Sequence, residues 1–379
     1  MTQQALINPK ILVWARKRIG LTEESFAKKM NIKNSKKIEE WEIGQSRPTF
    51  KQAQTIARIT NIPFGYLFLE KPPEEMLPIP DLRTVNNDRR RELSVDAKEL
   101  IGQVIARQEW YKDYLLKLEV EKLPFVGKFS LDSSIIEIVE DIRNTIKVEL
   151  PTKGSWEDYY RDLIKGAENS RILVMRSGIV GTNTKRKIKV SELRGFALSD
   201  EIAPLVFINS ADAPSARLFT FIHELAHIWI GESGISNIED IHLEEERFCN
   251  NVAGEFLLPK SRFIQEWRAQ LDLLENLVNI SSKFHVSKLV VAKRALDNQF
   301  ISRAQFDAYY KKVMKEYAHK NDDDSGGHYY FNSRARNSRL LSSAVIAEAL
   351  SGRMLLRDAG KLLSVQPSNI KKYASALDL

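Results

Sequence analysis

Apolar residues recur at helical spacing along most of the chain, interrupted mid-sequence by short runs rich in Val, Ile and Phe. In the first seventy residues the apolar groups are short. Ile11, Leu12 and Ala15 form a stripe opened by Pro9 and closed by Gly20. Thr22 is a good N-cap for a second helix, with Glu23 and Glu24 in its positively polarised first turn and Ser25 and Phe26 following. Ile38 and Trp41 mark a third helix, and Ala53, Ile56, Ala57 and Thr60 a fourth from about Thr49. Lys71-Pro72-Pro73, then Pro78 and Pro80, cannot continue a helix and set a domain boundary. One long helix is predicted over residues 93–122, and strands over 171–180, 194–198 and 204–208. A strongly apolar helix follows over about 215–230, and another over 244–258 stops at Pro259. More helices run to about Tyr317, residues 321–327 read as a polar linker, and the last fifty residues are helical again.

The organisation expected is therefore multidomain and mainly α. Residues 1–70 form a helical domain, 71–130 a Pro-rich hinge with a long helix, 131–320 an α+β domain with a small sheet, and 328–379 a helical C-terminal segment. Composition agrees with packed cores: 43% of the 379 residues are hydrophobic and 28% charged. No apolar run approaches the ~18 residues of a membrane span, and the longest N-terminal stretch, residues 11–15, is too short for a signal peptide. Cys249 is the only cysteine, which excludes intramolecular disulfides and multi-cysteine zinc sites and fits a reducing, cytoplasmic setting. The net charge of +7 permits nucleic-acid contact without demanding it.

The candidate chemistry lies in His223-Glu224-Leu225-Ala226-His227. Residues four apart on an α-helix face nearly the same way, so both imidazoles can reach one ion, with Glu224 beside them. Imidazole nitrogen and carboxylate oxygen suit zinc, although manganese or iron accept the same ligands. A third protein ligand is needed. The downstream helix offers Glu244, Glu245 and Glu246; its buried stripe should be Cys249, Val252, Ala253 and Phe256. Both Glu245 and Glu246 lie within one step of that stripe, and periodicity does not choose between them. His242 is a further candidate.

The segment Glu246-Arg-Phe-Cys-Asn-Asn-Val-Ala-Gly-Glu-Phe-Leu-Leu-Pro259, following His223 to His227, resembles the second motif of the ImmA/IrrE metallo-endopeptidases, E-x-x-A-N-x-F-A-A-x-L-L-M-P. That resemblance implies a zincin-like fold, Glu246 as third zinc ligand, and Glu224 as general base in peptide hydrolysis. Asn250, or an acidic residue such as Asp240, could orient a ligand. Cys249, Val252, Gly254 and Leu258 depart from the motif by small or apolar exchanges. His285 and Tyr309 are conceivable oxyanion partners. Cys249 itself reads as a small buried filler.

At the N-terminus, Ile38-Glu39-Glu40-Trp41-Glu42-Ile43-Gly44 with Pro48-Thr49 resembles the I-x-x-W-E-x-G…P-T signature of Cro/CI-like XRE repressors. The resemblance implies a five-helix helix-turn-helix domain. Its recognition helix would begin near Asn34 and present Ser35, Lys36, Lys37 and Glu39 to the major groove of double-stranded DNA. Arg16, Lys17, Arg18, Lys28 and Lys29 could contact the phosphate backbone, while Glu39, Glu40 and Glu42 oppose it. Near the C-terminus, residues 342–349 predict a helix, and 355–363, 364–366 and 367–374 read as helix, turn, helix. Pro367 stands at a helix start, and Arg357, Lys371 and Lys372 make the segment basic. Substrate binding, DNA binding and simple packing all suit it.

Together these features imply a cytoplasmic zinc endopeptidase that cleaves a repressor or antitoxin-like protein in a prokaryotic transcriptional switch. The alternative is a DNA-binding regulator whose zinc domain senses a ligand or metal without proteolysis.

Overall fold

The computed structural model describes residues 3–73, 93–151, 154–234, 244–318, 333 and 335–377. Two compact units emerge, Met1–Pro78 and Ile79–Leu379. His242, Asp240 and the linker 321–327 lie outside the described residues.

The first unit contains α1 (Pro9–Arg18), α2 (Glu23–Lys29), α3 (Lys36–Glu42), α4 (Phe50–Thr60) and a 3-10 helix, Phe64–Phe68. Each start has a local cause. Asn8 caps α1 ahead of Pro9, Thr22 caps α2 by accepting from Ser25 N–H, and Thr49 with Gln52 forms a capping box on α4. Ile11, Leu12, Phe26, Ile38, Trp41 and Ile56 close the core. Arg16 was expected on a phosphate-facing surface; instead it is 6% exposed. Its guanidinium donates to both Glu42 oxygens at 2.6 and 2.7 Å and to Glu23 Oε1 at 3.0 Å. A guanidinium desolvated in this way needs its carboxylates close, and Glu42 is turned inward with it.

The second unit opens with α5 (Val95–Lys117), α6 (Ile135–Ile146) and α7 (Trp156–Asn169). The strands β1 (Leu173–Arg176), β2 (Ile179–Val180), β3 (Asn183–Lys187), β4 (Gly195–Leu198) and β5 (Leu205–Ile208) follow. The three-stranded sheet has order β1-β5-β4: β1 runs parallel to β5 with Leu173 opposite Leu205, and β4 antiparallel with Gly195 opposite Ile208. The single strand expected over 171–180 breaks at Ser177-Gly178, where Ser177 Oγ donates to Ile179 C=O. β3, Asn-Thr-Lys-Arg-Lys, gave no apolar signal because it is a mostly exposed hairpin strand paired with β2.

Next come α8 (Pro214–Ile230), α9 (Glu244–Leu257), α10 (Lys260–Glu266), α11 (Leu273–Phe284), α12 (Lys288–Asp297) and α13 (Arg303–Ala318). Helix α8 lies between the sheet and α9. Leu218, Phe221, Ile222, Leu225, Ile228 and Trp229 are all fully buried on it. At about 1.5–3 kcal/mol for each large apolar side chain, this burial offsets the cost of enclosing the polar groups carried between them. Trp229 stacks on Phe125 at 4.5 Å and donates to Asp141 Oδ2 at 2.8 Å. Gly231, at φ +81°, ends the helix and lets Gly127 approach its Cα.

The chain closes with α14 (Arg339–Leu350), α15 (Leu356–Leu363), a 3-10 turn Pro367–Asn369, and α16 (Ile370–Ala376). Helix α14 packs against α5 and β1 of the same unit. Glu168, at the end of α7, accepts from Ser338 Oγ at 2.6 Å and from Arg339 N–H at 2.8 Å, supplying the N-terminal cap that α14 lacks locally.

Candidate metal centre

His223 and His227 stand one turn apart on α8, and Glu246 lies in the first turn of α9; the three are at most 1% exposed. A carboxylate is favoured at that position by the positive end of α9. Of the three consecutive glutamates, Glu244 is exposed, Glu245 half-buried and Glu246 buried, and it is Glu246 that lies with the two histidines. The Nε2 atoms of His223 and His227 are 3.2 Å apart, and Glu246 reaches them at 3.2 Å through Oε2 and 3.4 Å through Oε1. Ligand atoms held about 2.0–2.2 Å from one tetrahedral ion stand roughly 3.3–3.6 Å from each other, so this triangle has the dimensions of a metal site. These groups can hold a metal ion.

The charge states agree with that use. Burial pushes Glu246 up, but hydrogen bonds from His223 and His227 outweigh it and hold the carboxyl at about 2. Burial lowers His227, against the opposing pull of Glu246. An ionised Glu246 beside a neutral His227 is the form in which those two groups bind metal.

Glu224 is fully buried and follows His223 on α8. It lies against β4: a Cβ added to Gly195 would come 2.9 Å from Glu224 Oε1, 2.7 Å from Thr220 Cγ2 and 2.9 Å from Phe207 C=O. Only glycine fits there. The sequence reading did not single out Gly195; a glycine at the head of an apolar strand, Arg-Gly-Phe-Ala-Leu, was the available signal of close approach. Cys249 is buried one turn beyond Glu246, and burial followed by the charges of Glu246 and Glu224 raises its thiol well above the usual range. It is a protonated filler. Asn250 is half-buried on the same helix, one turn after Glu246.

The remaining candidates lie elsewhere. His285 caps α11 at φ +56° and lines an open cavity of about 510 Å³ with Trp156, Pro214 and Ser215. That cavity sits at the start of α8, roughly 12 Å along the helix from His223 at 1.5 Å per residue. Tyr309, on α13, packs at the edge of the main core. In the N-terminal unit, Ser35 precedes α3 while Lys36, Lys37 and Glu39 are exposed on it.

A buried His-x-x-x-His pair, a glutamate from a neighbouring helix and a second glutamate beside the first histidine are the parts of a metallopeptidase centre. Residues 168–296 match a peptidase M78 family model described as the IrrE N-terminal-like domain, which supports a protease of the IrrE/ImmA type. Residues 337–376 match a model described only as a domain of unknown function, DUF8813. A search of curated proteins returned no match.

Proposed function

We propose that this protein is a zinc-dependent endopeptidase joined to a DNA-binding helix-turn-helix domain, cleaving one regulatory protein, a repressor or antitoxin-like partner. His223, His227 and Glu246 hold the ion, Glu224 is the general base, and Asn250 orients a ligand from α9. The observation that carries the reading is the 3.2–3.4 Å triangle of buried ligand atoms with a buried carboxylate at the adjacent helical position.

When bound, the ion supplies Lewis-acid polarisation and makes water a competent nucleophile near neutral pH. Glu224 accepts the proton of the attacking water and returns it to the departing amine. Its confinement against Gly195 holds the carboxylate in one place, so little reorganisation is needed as the proton moves. The Cys249 thiol stays protonated and does not compete as a nucleophile. In the first unit, Ser35, Lys36, Lys37 and Glu39 form the DNA-reading face of α3, with Lys17, Arg18, Lys28 and Lys29 for the phosphates.

Incubating the zinc-loaded protein with the product of a neighbouring repressor gene tests this. Wild type should cleave it, while Glu224→Gln, with full metal content, should lose ~10²–10⁴-fold in rate. Cleavage by the variant at the wild-type rate removes the assigned base, and absence of cleavage by wild type favours a metal-sensing regulator.

A further inference from the structure

We propose that residues 337–376 are a second helix-turn-helix, which binds duplex DNA through α16 and the 3-10 turn that opens it. This site is separate from residues 1–70 and from the metal centre.

The turn has the required construction. Ser364 closes α15 at φ +52°, and Val365 is 4% exposed with its N–H on Gly360 C=O at 2.9 Å. A Cβ on Gly360 would lie 2.6 Å from Val365 C=O and 3.2 Å from Pro367 Cγ, so the following helix crosses α15 at a distance that only glycine allows. Ile370, Tyr373 and Ala374 are buried on the inner face of α16, and Tyr373 Oη pairs with Ser342 Oγ of α14 at 3.0 Å.

The turn is also pinned from behind. Arg107 of α5 is 3% exposed and donates Nε to Leu362 C=O and Nη2 to Ser364 Oγ, both at 2.9 Å. Asn337 Nδ2 donates to Leu363 C=O at 2.7 Å. A cation at the C-terminal end of α15 satisfies carbonyls that the helix leaves unpaired. The turn is thereby anchored to the second unit on its inner side, and the outer face stays in solvent.

That outer face is built for phosphate. Ser368, Lys371, Lys372 and Ser375 are exposed on the turn and α16, and Lys361 and Arg357 on α15. Among the described residues Lys361, Lys371 and Lys372 have no ion pair. Residues 337–376 carry Arg339, Arg353, Arg357, Lys361, Lys371 and Lys372 against Glu348 and Asp358 alone, a net +4. More than half of the chain's +7 therefore sits in forty residues. Glu348 is held by Arg353 at 2.7 Å and Asp358 lies beside Arg357 at 3.4 Å, so neither carboxylate opposes the lysines of α16. A short hydroxyl, Ser368, just ahead of α16 with Lys371 and Lys372 one turn on matches a recognition helix, where the former approaches base edges and the latter phosphates. Exposed Leu355 and Leu356 at the α14–α15 turn would suit a protein partner, but the lysines of α16 lie on the other helix and favour DNA.

The test uses the full chain carrying Lys36→Ala and Lys37→Ala, so that the N-terminal domain contributes less, and a fluorescent duplex of about 30 base pairs titrated across salt. Adding Lys371→Ala with Lys372→Ala should weaken binding about tenfold and shrink the log–log salt slope by about 2. Lys371→Arg with Lys372→Arg should restore both. Lys311→Ala with Lys312→Ala removes the same charge from an exposed part of α13 and should change affinity less than about twofold. The proposal is overturned if the α16 pair behaves like the α13 pair. It is equally overturned if the α16 variant keeps DNA affinity but loses cleavage of the protein substrate, which would mark a protein-docking face.

Discussion

At the scale of single residues, Gly195 and Glu224 form one unit. Gly195→Ala forces its Cβ toward Glu224 Oε1, Thr220 Cγ2 and a backbone carbonyl at once. The flexible carboxylate yields first, because the carbonyl is fixed in the sheet. A displacement of about 1 Å in a catalytic group can cost ~10²-fold, so this variant should lose activity on that order while binding its metal, at an overpacking cost of about 1–3 kcal/mol. Steady-state kinetics with metal analysis check it: loss in kcat with zinc retained is expected, and unchanged kcat would mean Glu224 is not held by this contact. The clustering of side chains was legible where spacing encodes geometry. His223 and His227 were brought together by a separation of four, and Glu246, rather than Glu245, was pointed to by the family resemblance and lies with them. Arg107 was not legible, since its partners Leu362 and Ser364 lie far along the chain; Gly195 carried a signal of close approach in its strand, but not of which side chain approaches it.

At the scale of elements, α8 was readable because it is apolar almost throughout and carries two histidines at helical spacing, as befits a helix buried from Thr220 to Ile230. Among the short N-terminal helices, α2 was readable from its cap Thr22 and α4 from the spacing of Ala53, Ile56, Ala57 and Thr60, while the Thr49–Gln52 capping box came only with the structure. The hairpin strand β3 was not, because an exposed strand has no buried face to alternate. Arg107 makes a prediction for α15. Arg107→Ala strands the C-terminal carbonyl of Leu362 and the hydroxyl of Ser364, and bonds from a charged donor are worth about 1.5–3 kcal/mol each. Urea unfolding should show a loss of several kcal/mol, roughly 3–6 if the two bonds add. A loss below about 0.5 kcal/mol would mean the anchor contributes nothing.

For the whole molecule, the buried cluster of His223, His227 and Glu246 links α8 and α9, and its ionisation ties stability to pH. His227 is lowered by burial, so between its folded pKa and the ordinary value near 6.5 the unfolded chain takes up a proton that the native chain does not. Stability of the chelated protein should therefore fall as pH drops below about 6.5, by up to ~1.4 kcal/mol per pH unit. Glu246, held at about 2, adds stability that is complete above ~4.5 and is lost only in stronger acid. Urea titrations at pH 8 and 5.5 separate the two, and equal stability at both would contradict a buried neutral His227. Binding of zinc to the folded chain alone should raise the melting temperature, as a ligand at 1,000 times its Kd adds about 4.1 kcal/mol.

The central claim is that one ion is gripped by His223, His227 and Glu246. Elemental analysis of purified protein tests it most directly, comparing wild type with His227→Ala and Glu246→Gln after dialysis against a weak chelator. One equivalent of zinc in wild type, reduced to a small fraction in both variants, is the predicted result. Stoichiometric metal surviving both substitutions would place the ion elsewhere and contradict the account.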